Sequence, residues 1–192
     1  MLKIKNIAIF ASGAGSNAEN IIKYFEISDV GKVKTLFCNV PNAYVLKRAD
    51  NLGVPCVIFS RDDFYKSNMI IDKLLHDEID LIVLAGFLWL IPENIIQLYN
   101  NRIINIHPAL LPDYGGKGMY GDKVHKAVIA DGKKESGITI HYVNEKYDDG
   151  DIIFQAKCKI TDADTAETLA QKVHVLEYEH YPKVIESVLL RL

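Results

Sequence analysis

The chain alternates between short apolar runs and stretches in which apolar residues recur at helical spacing. Five apolar runs predict strands, at 7–10, 33–40, 54–59, 81–85 and 102–106. Helical spacing predicts three helices between them, at 16–25, 44–52 and 62–76. Strands that alternate with helices are typical of βαβ units, which build a mostly parallel sheet with right-handed crossovers.

The pattern changes after residue 108. Four glycines within 114–121 predict a mobile loop, and a short helix follows at 123–130. The remaining elements are two strands, at 138–143 and 152–159, and a long helix at 165–190. Pro182 predicts that this helix is interrupted or restarted, because proline removes a backbone donor.

Together these elements predict one α/β domain over residues 1–192, with a Rossmann-like, mostly parallel twisted sheet and flanking helices. Residues 1–108 would form a Rossmann-like half that binds a nucleotide or a phosphate. Residues 109–192 would add a second layer of strands and a C-terminal helix that closes the domain.

Composition narrows the class of protein. The 192 residues carry 22 basic and 25 acidic side chains, a net charge of -3 that disfavours nucleic acid as a partner. The longest uncharged apolar run, 81–91, falls short of the ~20 residues that span a bilayer, so no membrane partner is expected. Three widely spaced cysteines without a CxxC pair indicate reduced thiols in a cytoplasmic protein. The histidines lack metal-ligand spacing, so no metal is expected.

A glycine-rich segment, 13–18 (GAGSNA), lies between the first predicted strand and helix. It fits the dinucleotide fingerprint, but that site also needs a carboxylate at the end of the second strand, where the sequence reads FCNV. A single phosphate, bound by the backbone N–H groups of Gly15, Ser16 and Asn17, is the favoured interpretation. Ser16 as a helix N-cap is the plain structural alternative, and capping is compatible with phosphate binding.

Candidate chemistry follows the fifth predicted strand. Asn105 and His107 lie two residues apart, so in an extended segment their side chains share one face. An amide that stabilises an oxyanion beside an imidazole that moves protons suits acyl transfer. Asp148, in the acidic turn 148–151, could orient such a histidine. Spacing alone nevertheless favours a structural histidine and a plain turn.

Four segments occur together, in order, over nearly the whole chain: the GAGSN loop, AGFLWLIP at 85–92, NIHPALLP at 105–112 and HYVNEKYDDGDIIFQ at 141–155. In this the sequence closely resembles the folate-dependent formyltransferases, and the GAGSN loop and compact length point to the members of de novo purine synthesis. The resemblance implies transfer of a formyl group from 10-formyltetrahydrofolate to the amine of glycinamide ribonucleotide. It implies small-molecule substrates, no nucleic acid, and a monomer or homodimer.

The resemblance implies a catalytic trio. Asn105 would hold the formyl oxygen as negative charge builds on it. His107 would act as the proton donor, and Asp148 would raise the pKa of His107 and relay protons towards the N10 leaving group. The second half of the chain would then be the folate and catalytic half.

The resemblance also implies binding residues. Gly15, Ser16 and Asn17 match the substrate-phosphate loop, and Glu177 matches a glutamate that contacts the ribonucleotide. On the folate side the matching residues, besides Asn105, are Arg61, Leu88, Trp89, Leu90 and Ile91. Their main-chain polar groups at 88–91 would pair with the pterin.

This chain departs from the family pattern at two residues. Trp89 stands where many members carry arginine, and Asp149 stands where glycine is common. An indole stacks or packs but cannot pair with an anionic folate tail, so tail binding is expected to differ. The segment 116–121 also differs from shorter versions of the loop and would serve as a lid over the substrate.

Several other functions compete with this interpretation. A formyltransferase acting on methionyl-tRNA would be expected to add a basic C-terminal domain, and a formyltetrahydrofolate hydrolase an N-terminal regulatory domain. A formyltransferase acting on a nucleotide sugar is a further sibling. A non-catalytic nucleotide-binding module would need the glycine loop but not Asn105, His107 and Asp148 together.

Overall fold

A computed structural model describes residues 3–192 and contains one seven-stranded sheet. The strands are β1 (Lys5–Ala11), β2 (Gly31–Cys38), β3 (Cys56–Ile58), β4 (Leu81–Leu84), β5 (Ile103–His107), β6 (Glu135–Tyr142) and β7 (Ile152–Lys159). The helices are α1 (Ser16–Phe25), α2 (Tyr44–Asn51), α3 (Arg61–Tyr65), α4 (Met69–His76), α5 (Glu93–Leu98), α6 (Asp122–Ala130) and α7 (Ala166–Leu189).

The sheet has the strand order β3-β2-β1-β4-β5-β6-β7, and its first five strands are parallel. This confirms the predicted Rossmann-like α/β fold. The order reverses between β1 and β4, and in open α/β sheets the ligand crevice lies at such a switch point, beyond the carboxyl ends of the strands.

Each face of the sheet has its own hydrophobic core. Alternate residues of β1 point to opposite faces, so Ile7 and Ile9 pack with helices α1 and α7. Ala8 and Phe10 pack on the other face, where Phe10 stacks on Phe37 with ring centroids 4.6 Å apart. Burial on both faces explains why β4 reads as an unbroken apolar run.

The prediction of a second layer of strands is wrong. Strand β6 pairs antiparallel with β5, and β7 pairs antiparallel with β6, so both extend the same sheet. This arrangement satisfies the backbone groups along the open edge of β5. It also sets Asn105 opposite His141 in the register.

One of the predicted helices is two separate helices in the structure. The stretch 62–76 forms two helices, α3 and α4, because the chain leaves helical geometry at residues 66–68. The Ser67 hydroxyl donates to the Asp63 carbonyl at 2.9 Å where α3 ends. Helix α5 is an element that the sequence analysis did not identify.

The predicted break in the last helix is also wrong, because α7 runs through Pro182 without interruption. Proline has no N–H to donate to the carbonyl of Tyr178, four residues earlier. The side-chain amide of Asn20 in α1 donates to that carbonyl instead, at 3.0 Å. A tertiary contact therefore replaces the missing helical hydrogen bond.

Candidate active site

The glycine loop turns sharply from β1 into α1. Gly15 has φ of 75°, and a Cβ at this position would collide with the side chain of Val45. Gly15 is also the N-cap of α1, so the alternative that Ser16 caps the helix is wrong. The first N–H groups of a helix have no intrahelical acceptor. The loop therefore presents backbone donors at the edge of the crevice, as an anion site requires.

Glu177 connects this loop to helix α7. Its carboxylate oxygen Oε2 accepts from Asn17 Nδ2 at 2.9 Å and from His174 Nδ1 at 2.8 Å. Only 5% of Glu177 is exposed, so the carboxylate has left bulk water and relies on these donors. The hydrogen bond to Glu177 raises the pKa of His174. The structure thus joins two predicted binding residues, and it adds His174, which the sequence analysis missed.

The predicted catalytic residues Asn105, His107 and Asp148 meet at the carboxyl end of β5. Asn105 Nδ2 lies 3.4 Å from Asp148 Oδ1, and His107 Nδ1 lies 3.5 Å from Asp148 Oδ2. The backbone N–H of Gly116 donates to Asp148 Oδ2 at 2.9 Å, and His107 Nε2 donates to the carbonyl of Tyr114 at 2.8 Å. The start of the glycine-rich loop therefore holds both members of the histidine–aspartate pair.

The electrostatics of this pair differ from the expectation in one respect. Burial lowers the pKa of His107, and the raising effect of the Asp148 carboxylate does not fully compensate. For Asp148, burial acts to raise the pKa, but its contact with His141 and the nearby charge of His107 hold the pKa below its usual value. The site therefore keeps a carboxylate ionised beside an imidazole that gives up its proton readily.

His141 is a further residue of this cluster that sequence reasoning did not assign. Its Nδ1 faces the Tyr142 carbonyl at 2.8 Å and so carries the proton in the neutral ring. In the neutral ring its Nε2 accepts from Asn105 Nδ2 at 3.1 Å, which orients the Asn105 amide, whereas in the protonated ring the same nitrogen faces Asp148 Oδ1 at 3.6 Å as a donor. The pairing of β5 with β6 creates this contact, and only the register of the two strands could have revealed it.

The predicted folate wall contains several aromatic rings. Trp89 packs edge-on against Phe59, with ring centroids 6.0 Å apart, and the Arg61 guanidinium lies 5.7 Å from the Trp89 ring. Arg61 itself is exposed and lies outside the residues that line the cleft. The carbonyl of Leu90 already accepts from the hydroxyl of Tyr65 at 2.8 Å. The wall thus combines an apolar surface with a cation held beside Trp89.

One cleft of about 670 Å³ collects these groups. Besides the glycine loop and the predicted catalytic residues, it is lined by Leu88–Ile91, by residues 116–121 and by Glu177. Over residues 3–192, no three His, Cys, Asp or Glu side chains are grouped in a way that would hold a metal ion. Of the helices described, none has the combined length and apolar character needed to cross a bilayer.

Comparison with known proteins agrees with this geometry. The profile of the formyl transferase family matches residues 5–185. The chain is 40% identical to the phosphoribosylglycinamide formyltransferase of Bacillus subtilis, over 97% of this chain and 95% of that protein. A crystal structure of the enzyme of that name from Anaplasma phagocytophilum superposes with a TM-score of 0.88 at 32% identity, covering 98% of this chain and 89% of the other. This chain belongs to the formyl transferase family.

A plant relative is longer than this chain. The chloroplastic phosphoribosylglycinamide formyltransferase of Arabidopsis thaliana is 40% identical over 96% of this chain, which spans 65% of its length.

Proposed function

We propose that the protein transfers the formyl group of 10-formyltetrahydrofolate to the amine of glycinamide ribonucleotide. The observation that carries this proposal is the convergence of Asn105, His107 and Asp148 in the same cleft as the anion-binding loop at Gly15. A formyl acceptor that carries a phosphate needs both features at once. The names of the B. subtilis and A. phagocytophilum relatives support the same activity.

Asn105 would stabilise the formyl oxygen as it gains negative charge. One hydrogen of its Nδ2 is used by His141 at 3.1 Å, whereas the second makes only a long contact, 3.4 Å, with Asp148. That second hydrogen is available to the oxygen of a bound formyl group. A donor that is already oriented costs no reorganisation when charge develops, which is the basis of oxyanion stabilisation.

His107 and Asp148 would accept and donate the protons that move during formyl transfer. The attacking amine must lose a proton, and the departing nitrogen must gain one. His107 Nε2 is fixed as a donor to Tyr114, so the transferable proton of the imidazolium sits on Nδ1, which faces Asp148 at 3.5 Å. The Asp148 carboxylate stabilises that imidazolium, and it can pass a proton onwards through water.

The residues present suit the two substrates. Gly15, Ser16 and Asn17 offer donors to the phosphate, and Glu177 offers carboxylate oxygens to the ribose. 10-Formyltetrahydrofolate supplies the formyl carbon and the leaving nitrogen. The apolar segment 88–91 would wall its pterin, and Arg61 beside Trp89 would face its anionic tail. With this activity we propose a single domain over residues 1–192, a cytoplasmic location, and a monomer or homodimer.

A formyltetrahydrofolate hydrolase is the alternative that most needs a test. Incubation with glycinamide ribonucleotide and a 10-formyl folate, while deformylated folate is followed, separates the two reactions. Transfer requires the ribonucleotide, whereas hydrolysis proceeds equally without it. Turnover that is unchanged when the ribonucleotide is omitted would contradict the proposal.

Two variants separate an enzyme from a nucleotide-binding module. Asn105→Ala and His107→Ala should abolish turnover while binding of the ribonucleotide, measured by calorimetry, persists. The exposed Asn100→Ala is the matched control and should leave both measurements unchanged. Wild-type turnover in the first two variants would refute the catalytic assignment.

A further inference from the structure

His125, in α6, lines the cleft but takes no part in the chemistry described above. Only 4% of the residue is exposed. Its Nδ1 is fully enclosed and has no hydrogen-bond partner among residues 3–192. An enclosed, unpaired Nδ1 leaves Nε2 as the ring nitrogen with which His125 can make a hydrogen bond to a molecule in the cleft.

His125 lies near Glu177 and near His107, which belong to different parts of the cleft. Helix α6 packs against α7, which carries Glu177 and His174. The ionisable groups near enough to act on the His125 ring are those two, Asp122 and the catalytic His107. The ring therefore lies within electrostatic range both of Glu177, beside the glycine loop, and of His107.

The surroundings determine which ring nitrogen carries the proton. An enclosed N–H without an acceptor leaves a donor unsatisfied, and this is costly, so the proton belongs on Nε2 rather than on Nδ1. Burial lowers the pKa of His125, so the ring is neutral near neutral pH. Because Nδ1 is enclosed, Nε2 is the nitrogen that can reach a ligand. His125 thus offers the cleft one neutral N–H donor.

We propose that the Nε2–H of His125 donates a hydrogen bond to an oxygen of the substrate between its phosphate and its reacting amine. In glycinamide ribonucleotide the oxygens of that segment are those of the ribose and of the amide carbonyl. His125 would then bind and position the acceptor substrate rather than take part in proton transfer. This inference rests on the proposed function, because it assumes that acceptor.

Two substitutions distinguish the nitrogens. Glutamine places its amide nitrogen near the position of histidine Nε2, whereas asparagine places it near Nδ1. His125→Asn should raise the KM for glycinamide ribonucleotide about tenfold and change the KM for the folate less than about twofold, since one hydrogen bond to one substrate is lost. His125→Gln should stay within about threefold of the wild type. The same two changes at the exposed His76 are the control and should alter neither KM.

An unchanged KM in His125→Asn would overturn the inference, and so would an equal loss in His125→Gln when both variants are folded. Nitrogen chemical shifts of the wild-type ring give a second measurement that needs no variant. They should report protonation at Nε2, and the Nε2–H proton should shift when glycinamide ribonucleotide is added. No shift with saturating ribonucleotide in an active enzyme would overturn the inference, whereas a wild type that neither binds nor formylates the ribonucleotide would overturn the proposed function instead.

Discussion

Replacing Asp148 with asparagine tests the electrostatic core of the proposed mechanism. The change removes the charge but keeps the shape, and asparagine tolerates the left-handed backbone that this position adopts, with φ of 54°. An asparagine oxygen can still accept from the Gly116 N–H, which donates to Asp148 at 2.9 Å. Loss of the charge beside His107 is therefore the main effect of Asp148→Asn.

The magnitude follows from the geometry of the pair. His107 Nδ1 lies 3.5 Å from Asp148 Oδ2, and the two side chains are only 4% and 11% exposed. At the effective dielectric constant that suits protein sites, opposite charges at this separation interact by about 4 kcal/mol. If the rate-limiting step passes through the His107 imidazolium, loss of that interaction slows kcat by up to about a thousandfold.

The pH dependence gives a second measure of Asp148→Asn. Burial already lowers the pKa of His107, and Asp148 acts against that lowering, so the variant should have a still lower pKa at His107. Activity that needs the imidazolium is lost as pH rises through this pKa, so the falling limb of the kcat profile should move to lower pH. Steady-state kinetics from pH 5 to 9 would measure both effects.

The neighbouring Asp149→Asn is the matched control. Asp149 is exposed and contacts Lys146 at 3.6 Å, so its loss should leave kcat and the pH profile unchanged. If Asp148→Asn retains kcat within about threefold of the wild type, or loses activity without a shift of its pH profile, Asp148 does not stabilise a charged His107.

Three further changes test the scaffold, each read by chemical denaturation. Gly15→Ala should lower the free energy of unfolding by about 2 kcal/mol and weaken ribonucleotide binding, because φ is positive at Gly15 and a Cβ there would collide with Val45. Gly13→Ala should do neither, because a Cβ at that position has open space around it. Asn20→Ala should lower the free energy of unfolding by about 1 kcal/mol. The loss should be smaller in a Pro182→Ala background, because the restored N–H of residue 182 can donate to the Tyr178 carbonyl. Burial of Asp77 acts to raise its pKa, but hydrogen bonds from Lys73, Thr35 and His76 lower it to about 2. The ionised carboxylate therefore contributes about 2 kcal/mol to the free energy of unfolding, which is present above pH 4 and lost as pH falls towards 2. In Asp77→Asn the free energy of unfolding should depend less on pH over this range.

The aromatic wall suggests how this chain accommodates Trp89 at a position where the family resemblance implies arginine. Arg61 stacks over Tyr65 at 5.1 Å and over Trp89 at 5.7 Å, so a guanidinium lies beside that position although it comes from helix α3 and not from the loop that carries Trp89. In the proposed function this cation would meet the anionic folate tail from the rim of the cleft.

The local elements could be predicted because each depends on neighbours in sequence. Unbroken apolar runs predict strands buried on both faces, and α1 has the predicted bounds, Ser16–Phe25. The glycine at position 15 indicated the tight turn for the same local reason, since glycine tolerates φ of 75°. The break between α3 and α4 was missed because it lies in three residues without a strong breaker.

The assembly of the site was decided by the tertiary structure. Asn17 and Glu177 are 160 positions apart, and only the packing of α1 against α7 brings the amide to the carboxylate. Likewise, only the antiparallel register of β5 and β6 sets His141 against Asn105.

The pKa of His107 and the continuity of helix α7 were also decided by the tertiary structure. Residue types alone gave His107 and Asp148 their possible roles, but the direction of the His107 pKa depends on how deeply the ring is buried. The continuity of α7 through Pro182 likewise depends on a donor from another helix. The sequence determined which functional groups are available, because the chemistry of a side chain is a property of its residue type. The fold decided which partners these groups contact and how far they are exposed to solvent, because both depend on residues distant along the chain.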